Sequence, residues 1–259
     1  MSLLDVQHVE VSYNDRPVVH DVSFHLEPGE ILGIVGESGS GKSTMLRAAM
    51  GLLGNSGAVT RGSIYYKGQE ITGAGADEIR RLRGPSMGMI FQDTGASLCP
   101  VRSIGDQLCE TVRQHEKVSR EEVKNRALEL FGKMRLEDGD RILNSYPFEL
   151  SGGMSQRVGI VMSMVLKPDL LFADEPTSAL DVTVQAQVVR EMMKMRELYG
   201  TGIVIVTHNI GIVEYMADKI AVMYQGRILE YGKTEEIIRH PQEKYTKKLL
   251  DSVLRINRG

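Results

Sequence analysis

Cysteine is scarce in this chain: Cys99 and Cys109 are the only two, and they are neither in Cys-x-x-Cys spacing nor beside a histidine cluster. That excludes a disulfide or zinc framework and points to a reducing cytosol. A surplus of positive charge is also lacking, because 31 Lys plus Arg face 34 Asp plus Glu for a formal net charge of −3. No overall nucleic-acid footprint follows from that balance, so no nucleic-acid partner is expected. No stretch approaches the roughly 20 apolar residues that cross a bilayer, and the opening "MSLLDVQHVE" has no basic region leading into an apolar run. Neither a spanning helix nor a leader is expected, so any membrane association must come through a partner. Internal repeats, low-complexity tracts and long linkers are absent too. What is present is 259 residues, 42% hydrophobic and 25% charged, enough for one large core or a core with a lobe.

Short strands alternate with helices. "VQHVEVSY" and "DVSFHLE" show near-alternating apolar residues, "EILGIVG" reads as a buried strand, and "RGSIYYKGQEI" as a strand with a turn at Lys67-Gly68. From Ser103 to Met134 the period becomes helical. Ile104, Leu108 and Val112 share one face, and "SREE" (Ser119 to Glu122) forms a capping box ahead of Val123, Ala127, Leu130 and Met134. Farther on come strand "DLLFAD", a helix through Val184, Val188 and Met192, strands "GIVIVTH" and "KIAVMYQG", and a helix near "EKYTKKLLDSVL". Such alternation implies a parallel α/β sheet. "GLLGNSGAVTRG" and "ITGAGADE" read as loops.

Two stretches carry phosphate chemistry. "GESGSGKST" (Gly36 to Thr44) fits G-x-x-x-x-G-K-[ST], follows the apolar strand "ILGIV" and leads into a helical stretch, the context a P-loop requires. Gly36, Gly39 and Gly41, with Ser38 and Ser40 between them, let successive N–H groups close on phosphates. Lys42 brings positive charge to the β and γ oxygens, and Ser43, followed by Thr44, offers a hydroxyl to Mg²⁺. In "LSGGMSQR" (Leu150 to Arg157), Ser151, Gly152 and Gly153 can present amides at a helix start, where the dipole also favours an anion. Nothing in that octapeptide holds a metal or activates water.

Metal chemistry is found at "LLFADE" (Leu170 to Glu175). Its apolar strand ends in Asp174, placed to act on the Mg²⁺ shell, and Glu175 one step on can reach a water beyond the γ-phosphate. Alone, such an acidic pair also fits a helix N-cap with a first-turn acid.

Together these stretches resemble the ATP-binding cassette family. Gly36 to Thr44 is similar to its Walker A motif, "LLFADE" to Walker B and "LSGGMSQR" to its signature, followed by "SALD" (Ser178 to Asp181) and "VTHN" around His208. The resemblance covers nearly the whole chain. It implies an α/β fold with a P-loop, RecA-like ATPase core, an N-terminal antiparallel β-subdomain and an inserted helical subdomain. Residues 1–92 and 158–259 would form the nucleotide-binding core with the β-subdomain, and 93–157 the helical subdomain with the signature. The same resemblance implies that two cassettes pair head to tail, each signature capping the ATP on the other's P-loop.

Roles follow residue by residue from that resemblance. Tyr13 resembles the aromatic that stacks on adenine, although by itself it reads as a strand aromatic. Gln92 in "IFQD" resembles the glutamine that contacts Mg²⁺ or the attacking water, and His208 the histidine that contacts the γ-phosphate. Asp181 resembles an acid that signals across the dimer, although by itself it reads as a helix N-cap. The implied cofactors are ATP and Mg²⁺, the latter held by Ser43, Gln92 and Asp174.

Two departures concern coupling rather than catalysis. Asn209 stands where the family often has Asp, and the segment "QDTGASLCP" lacks the Pro near Thr94 and the Asn at Cys99 typical of peptide and nickel importers. "YPFELSGGMSQR" and "PTSALDVTVQAQVV" look most like the ATPases of those importers. The resemblance thus implies an importer ATPase on the cytoplasmic face of the membrane, with a second, different cassette, two permease subunits and an external solute-binding protein. A DNA-repair or translation cassette is the alternative; the first calls for a long heptad insertion, the second for two cassettes in one chain. Only "RINRG" follows the last helix and no cysteine follows Cys109, which favours nickel or its chelate slightly over short peptides as cargo, by analogy alone.

Overall fold

The computed structural model describes residues 1–178 and 180–251. In chain order its elements begin with β1 (Leu4–Tyr13), β2 (Arg16–Leu26), β3 (Ile31–Val35), α1 (Lys42–Ala49), β4 (Gly57–Tyr66), β5 (Gln69–Glu70) and α2 (Ala76–Leu82). Next are β6 (Met87–Ile90), α3 (Thr94–Ser97), α4 (Ile104–Arg113), α5 (Arg120–Lys133), α6 (Gly139–Asn144), α7 (Gly152–Met164), β7 (Leu170–Asp174) and α8 (Val182–Tyr199). The last are β8 (Gly202–Thr207), α9 (Ile210–Met216), β9 (Lys219–Tyr224), β10 (Arg227–Lys233), α10 (Thr234–Arg239) and α11 (Lys244–Asp251). They fall into two compact units, Met1–Ile79 with the residues from Gly202 onward, and Arg80–Thr201.

The first unit holds an antiparallel sheet in the order β2-β1-β4-β5. Leu4, Val6, Val9 and Val11 of β1 are buried, and the skip from Val6 to Val9 is a register shift at which His8 takes φ 51°. A bulge there keeps the apolar set on one face despite the broken alternation. β3 pairs in parallel with β8 (Ile34 opposite Val206) and with β9 (Ile34 opposite Ala221), and β9 pairs antiparallel with β10. Both β3 and β8 are buried along their whole length, which is why they read as unbroken apolar runs. α11 sets Tyr245, Leu249 and Leu250 against a cluster containing Val35, Ile210, Val213, Ile220 and Val222. Val253, in the helical stretch "EKYTKKLLDSVL", lies outside the described residues, as does the "RINRG" stretch.

The second unit carries the parallel pair β6 and β7, with Met89 opposite Phe172, and the helical lobe. Ile104, Leu108 and Val112 of α4 and Val123, Ala127 and Leu130 of α5 are buried as their spacing requires, and so is Met134 just beyond α5. Ser103 caps α4 by accepting from the Asp106 N–H, and Ser119 caps α5 by accepting from the Glu122 N–H at 3.1 Å. Each cap satisfies one amide that the first helical turn leaves unpaired.

Two loop expectations need correction. The second half of "GLLGNSGAVTRG" is strand, because Gly57, Ala58 and Val59 pair with Tyr13, Ser12 and Val11 of β1. Tertiary pairing there outweighs a glycine-rich composition. "ITGAGADE" likewise ends inside α2, with Asp77 and Glu78 in its first turn, where acids suit the helix dipole.

Candidate active site

In the first unit the phosphate loop grows out of β3. Gly36 follows Val35, and a Cβ on it would stand 2.0 Å from the Met223 carbonyl oxygen of β9, so only glycine allows the loop this close to the sheet. Gly41 then turns the chain into α1 at φ 99° without a side-chain cap, the arrangement needed where an anion is to take the place of a capping side chain. Between them Glu37, Ser38 and Gly39 are exposed, while Ser40 and Lys42 are buried and Ser43 and Thr44 half-buried. The Lys42 ammonium folds back into the loop, donating to the Gly36 and Glu37 carbonyls at 2.8 Å each and lying 3.5 Å from Ser40 Oγ. Its positive charge is therefore held within the loop by carbonyl oxygens. From outside, the β9–β10 turn supports the loop through Gly226 N–H donating to the Ser40 carbonyl at 3.0 Å.

His208 is exposed at the end of β8. Next to it, Asn209 caps α9 by accepting from the Gly211 N–H at 3.1 Å. Asn and Asp cap about equally well, so the departure at Asn209 preserves this local geometry. Tyr13, half-buried, ends β1 opposite Gly57, and a Cβ on that glycine would meet its ring at 2.6 Å.

The second unit holds the acids and the signature. β7 is buried throughout and ends in Asp174, 4% exposed. Glu175 then takes φ 48°, a left-handed conformation that costs a non-glycine residue about 1–3 kcal/mol and is found most often where function demands a sharp turn. Ser178 closes this turn, its N–H and hydroxyl both donating to the Glu175 carbonyl at 3.1 and 3.0 Å. Gln92 is exposed, two residues beyond β6. Asp181 caps α8, its Oδ1 accepting from the Thr183 and Val184 amides at 3.0 and 3.1 Å.

Ser151 and Gly152 are exposed at the start of α7, and Gly153 is half-buried against Val184. Ser151 Oγ accepts from the Met154 N–H at 3.3 Å, making the signature a capped helix start. The octapeptide's last residue, Arg157, was missed as a structural anchor. Its Nε donates to Glu191 Oε1 of α8 at 2.8 Å and its Nη2 to the Met134 carbonyl, so one guanidinium ties α7 to α8 and to the end of α5. A lone Arg and a Glu 34 positions apart give no local signal of such a pair.

Burial pushes the Glu191 carboxyl up to about 7, outweighing the opposite pull of Arg157. A carboxyl with a folded value above its unfolded value of 4.5 stabilises the fold fully below that lower value, and the contribution is lost as pH rises through about 7. Glu191→Gln keeps an acceptor for Arg157 without the titration. Unfolding free energies from urea titrations are thus expected to fall between pH 5 and pH 7.5 for the wild type relative to this variant, by about 3 kcal/mol at most. Parallel pH profiles would refute the assignment.

A P-loop with its lysine in place, and a carboxylate at the end of a buried strand followed by a strained glutamate, define the class of P-loop ATPases. The ABC transporter family model matches residues 19–178. The dipeptide transport ATP-binding protein DppD of Lactococcus lactis subsp. cremoris is 41% identical over 97% of this chain and 73% of its own length. The oligopeptide transport ATP-binding protein OppD of Bacillus subtilis is 42% identical over 97% of this chain and 72% of its own. Among solved structures, a dimeric post-hydrolysis state of the ATP-binding cassette MJ0796 with ADP and Pi superposes with a TM-score of 0.79 at 28% identity, covering 89% of this chain and 98% of that one. The chain belongs to the ABC transporter family. It is an ATP-binding and ATP-hydrolysing transporter subunit of the importer kind, and the DNA-repair or translation alternative is not favoured. No helix among the described residues is long and apolar enough to cross a membrane.

Proposed function

We propose that this chain drives uptake of short peptides as one of two cassettes seated on the cytoplasmic face of a pair of permease subunits, with an external solute-binding protein delivering the cargo. The observation that carries the proposal is the presence in one chain of a lysine-loaded P-loop and an exposed, capped signature helix. Both cargo names among the relatives described above are peptides. Nickel, expected from the length of the C-terminal stretch, finds no support among them and becomes an arm of the test.

In this reading Gly36 to Thr44 hold the phosphates, Lys42 neutralises them, and Tyr13 packs on the adenine. Glu175 takes the proton from the attacking water, Gln92 orients that water, and His208 contacts the γ-phosphate. Mg²⁺, when bound, would neutralise charge on the phosphate oxygens. Ser43, Gln92 and Asp174 fit it, being hard oxygen donors with a single carboxylate, as Mg²⁺ sites completed by phosphates and water usually are. Residues 93–157 act as the helical subdomain that brings Ser151, Gly152 and Gly153 to the nucleotide of the second cassette, and Asp181 shares its capping of α8 with a contact across the dimer. Residues 1–92 and 158–259 serve as the nucleotide-binding core.

Co-expression with the neighbouring transporter genes tests both partner and cargo. The expected product contains one copy of this chain, one of a different cassette and two permeases. In vesicles its ATPase activity rises with di- to pentapeptides on the binding protein and stays flat with Ni²⁺ or chelated Ni²⁺. An active complex containing this cassette alone would overturn the two-cassette proposal, and stimulation by nickel alone would overturn the peptide cargo.

A further inference from the structure

The C-terminal helix reaches the phosphate loop through one hydroxyl. Glu37 is the first residue of the loop after Gly36, and its carbonyl already accepts from Lys42 Nζ at 2.8 Å and from the Ser40 N–H at 3.2 Å. Its own N–H points the other way and donates to the Tyr245 hydroxyl of α11 at 2.9 Å. The Tyr245 ring lies tilted on Tyr224, the last residue of β9, with centroids 4.4 Å apart and planes at 38°. Behind it, Leu249 and Leu250 anchor α11 on the cluster around Val35, the last residue of β3. The hydroxyl is thus fixed from two sides, and it fixes the loop residue on which Lys42 is held.

We propose that Tyr245 is a positioning residue for the nucleotide: by holding the Glu37 amide, its phenol sets the curvature of the phosphate loop and the resting place of Lys42, and so ties ATP affinity to the docking of α11. This rests on the P-loop being the ATP site. Without the hydroxyl the Gly36–Glu37 peptide keeps only its carbonyl contact with Lys42, and a loop held at fewer points gives up more freedom when phosphate binds, which lowers affinity rather than the rate of the bound complex. A loop that is already held gives up less freedom on binding.

Tyr245→Phe keeps the ring on Tyr224 and removes only the acceptor. Affinity of the full chain for a fluorescent ATP analogue, KM and kcat for ATP hydrolysis, and the nucleotide-free thermal midpoint are measured together. The expected result is a threefold to tenfold rise in Kd and KM, the factor associated with one neutral hydrogen bond, with kcat within twofold and the midpoint within about 2 °C. Tyr224→Phe, which loses a hydroxyl that among the described residues accepts from the neighbouring Gln225 side chain, should bind as the wild type. Unchanged affinity in Tyr245→Phe, or an equal loss in Tyr224→Phe, would overturn the proposal. Lys42→Ala separates this outcome from failure of the P-loop reading: if it too binds nucleotide normally, the site itself has been misplaced, whereas a loss confined to Lys42→Ala removes Tyr245 alone.

Discussion

Glu175→Gln should bind ATP as the wild type does and hydrolyse it roughly 10²- to 10⁴-fold more slowly, the range that loss of a general base produces. The substitution is nearly isosteric and keeps an oxygen facing the same way, so it tests the proton-accepting role rather than packing. Asp174 completes a fully buried strand, and the chain turns sharply straight after it, with Glu175 left-handed at φ 48°. No helix starts at this pair, because α8 begins at Val182 with Asp181 as its cap, so the pair is not a cap and a first-turn acid. With hydrolysis blocked, the ATP-loaded dimer should accumulate, visible as an increase in mass by light scattering. Turnover near the wild-type rate would remove Glu175 from the role of base and leave Gln92 or His208 to be tested in turn.

How far the fold was legible depended on whether a residue's partners were local. β3 and β8 announced themselves because strands buried on both faces must be continuously apolar, and α4 and α5 because one-sided burial imposes a helical period and a serine cap. β4 was half lost in a loop because what makes Gly57 to Val59 a strand is β1, more than forty residues earlier in the sequence. β6, only four residues long, gave too short a run to separate from its surroundings. The site shows the same divide. Lys42 and the glycines were readable because a P-loop is one unbroken segment, whereas Tyr245 lies 208 positions from the Glu37 amide that it holds. The bland reading of Asp181 was correct as far as its carboxylate is seen: it caps α8.

Gly152→Asp should separate the two halves of the shared site. Gly152 is the first residue of α7, and a Cβ built on it meets nothing within 4 Å, so the larger side chain enters open space. An added carboxylate at a helix start favours the helix by about 0.3–1 kcal/mol through the dipole, and the isolated chain should fold at least as well as the wild type. Ser151→Arg is a poorer probe, because it also removes the Met154 cap, at a cost of about 1 kcal/mol. The same carboxylate that suits the helix repels a phosphate brought to those amides by another cassette. The isolated Gly152→Asp chain is therefore expected to bind ATP normally, while in the assembled transporter hydrolysis on the partner cassette's P-loop stops. Lys42→Ala should behave in the opposite way, losing roughly tenfold to hundredfold in the isolated chain's own affinity as charge-assisted hydrogen bonds disappear. Equal losses of ATP binding in the two isolated variants would mean that signature and P-loop serve the same nucleotide within one chain, and the head-to-tail arrangement would have to be abandoned.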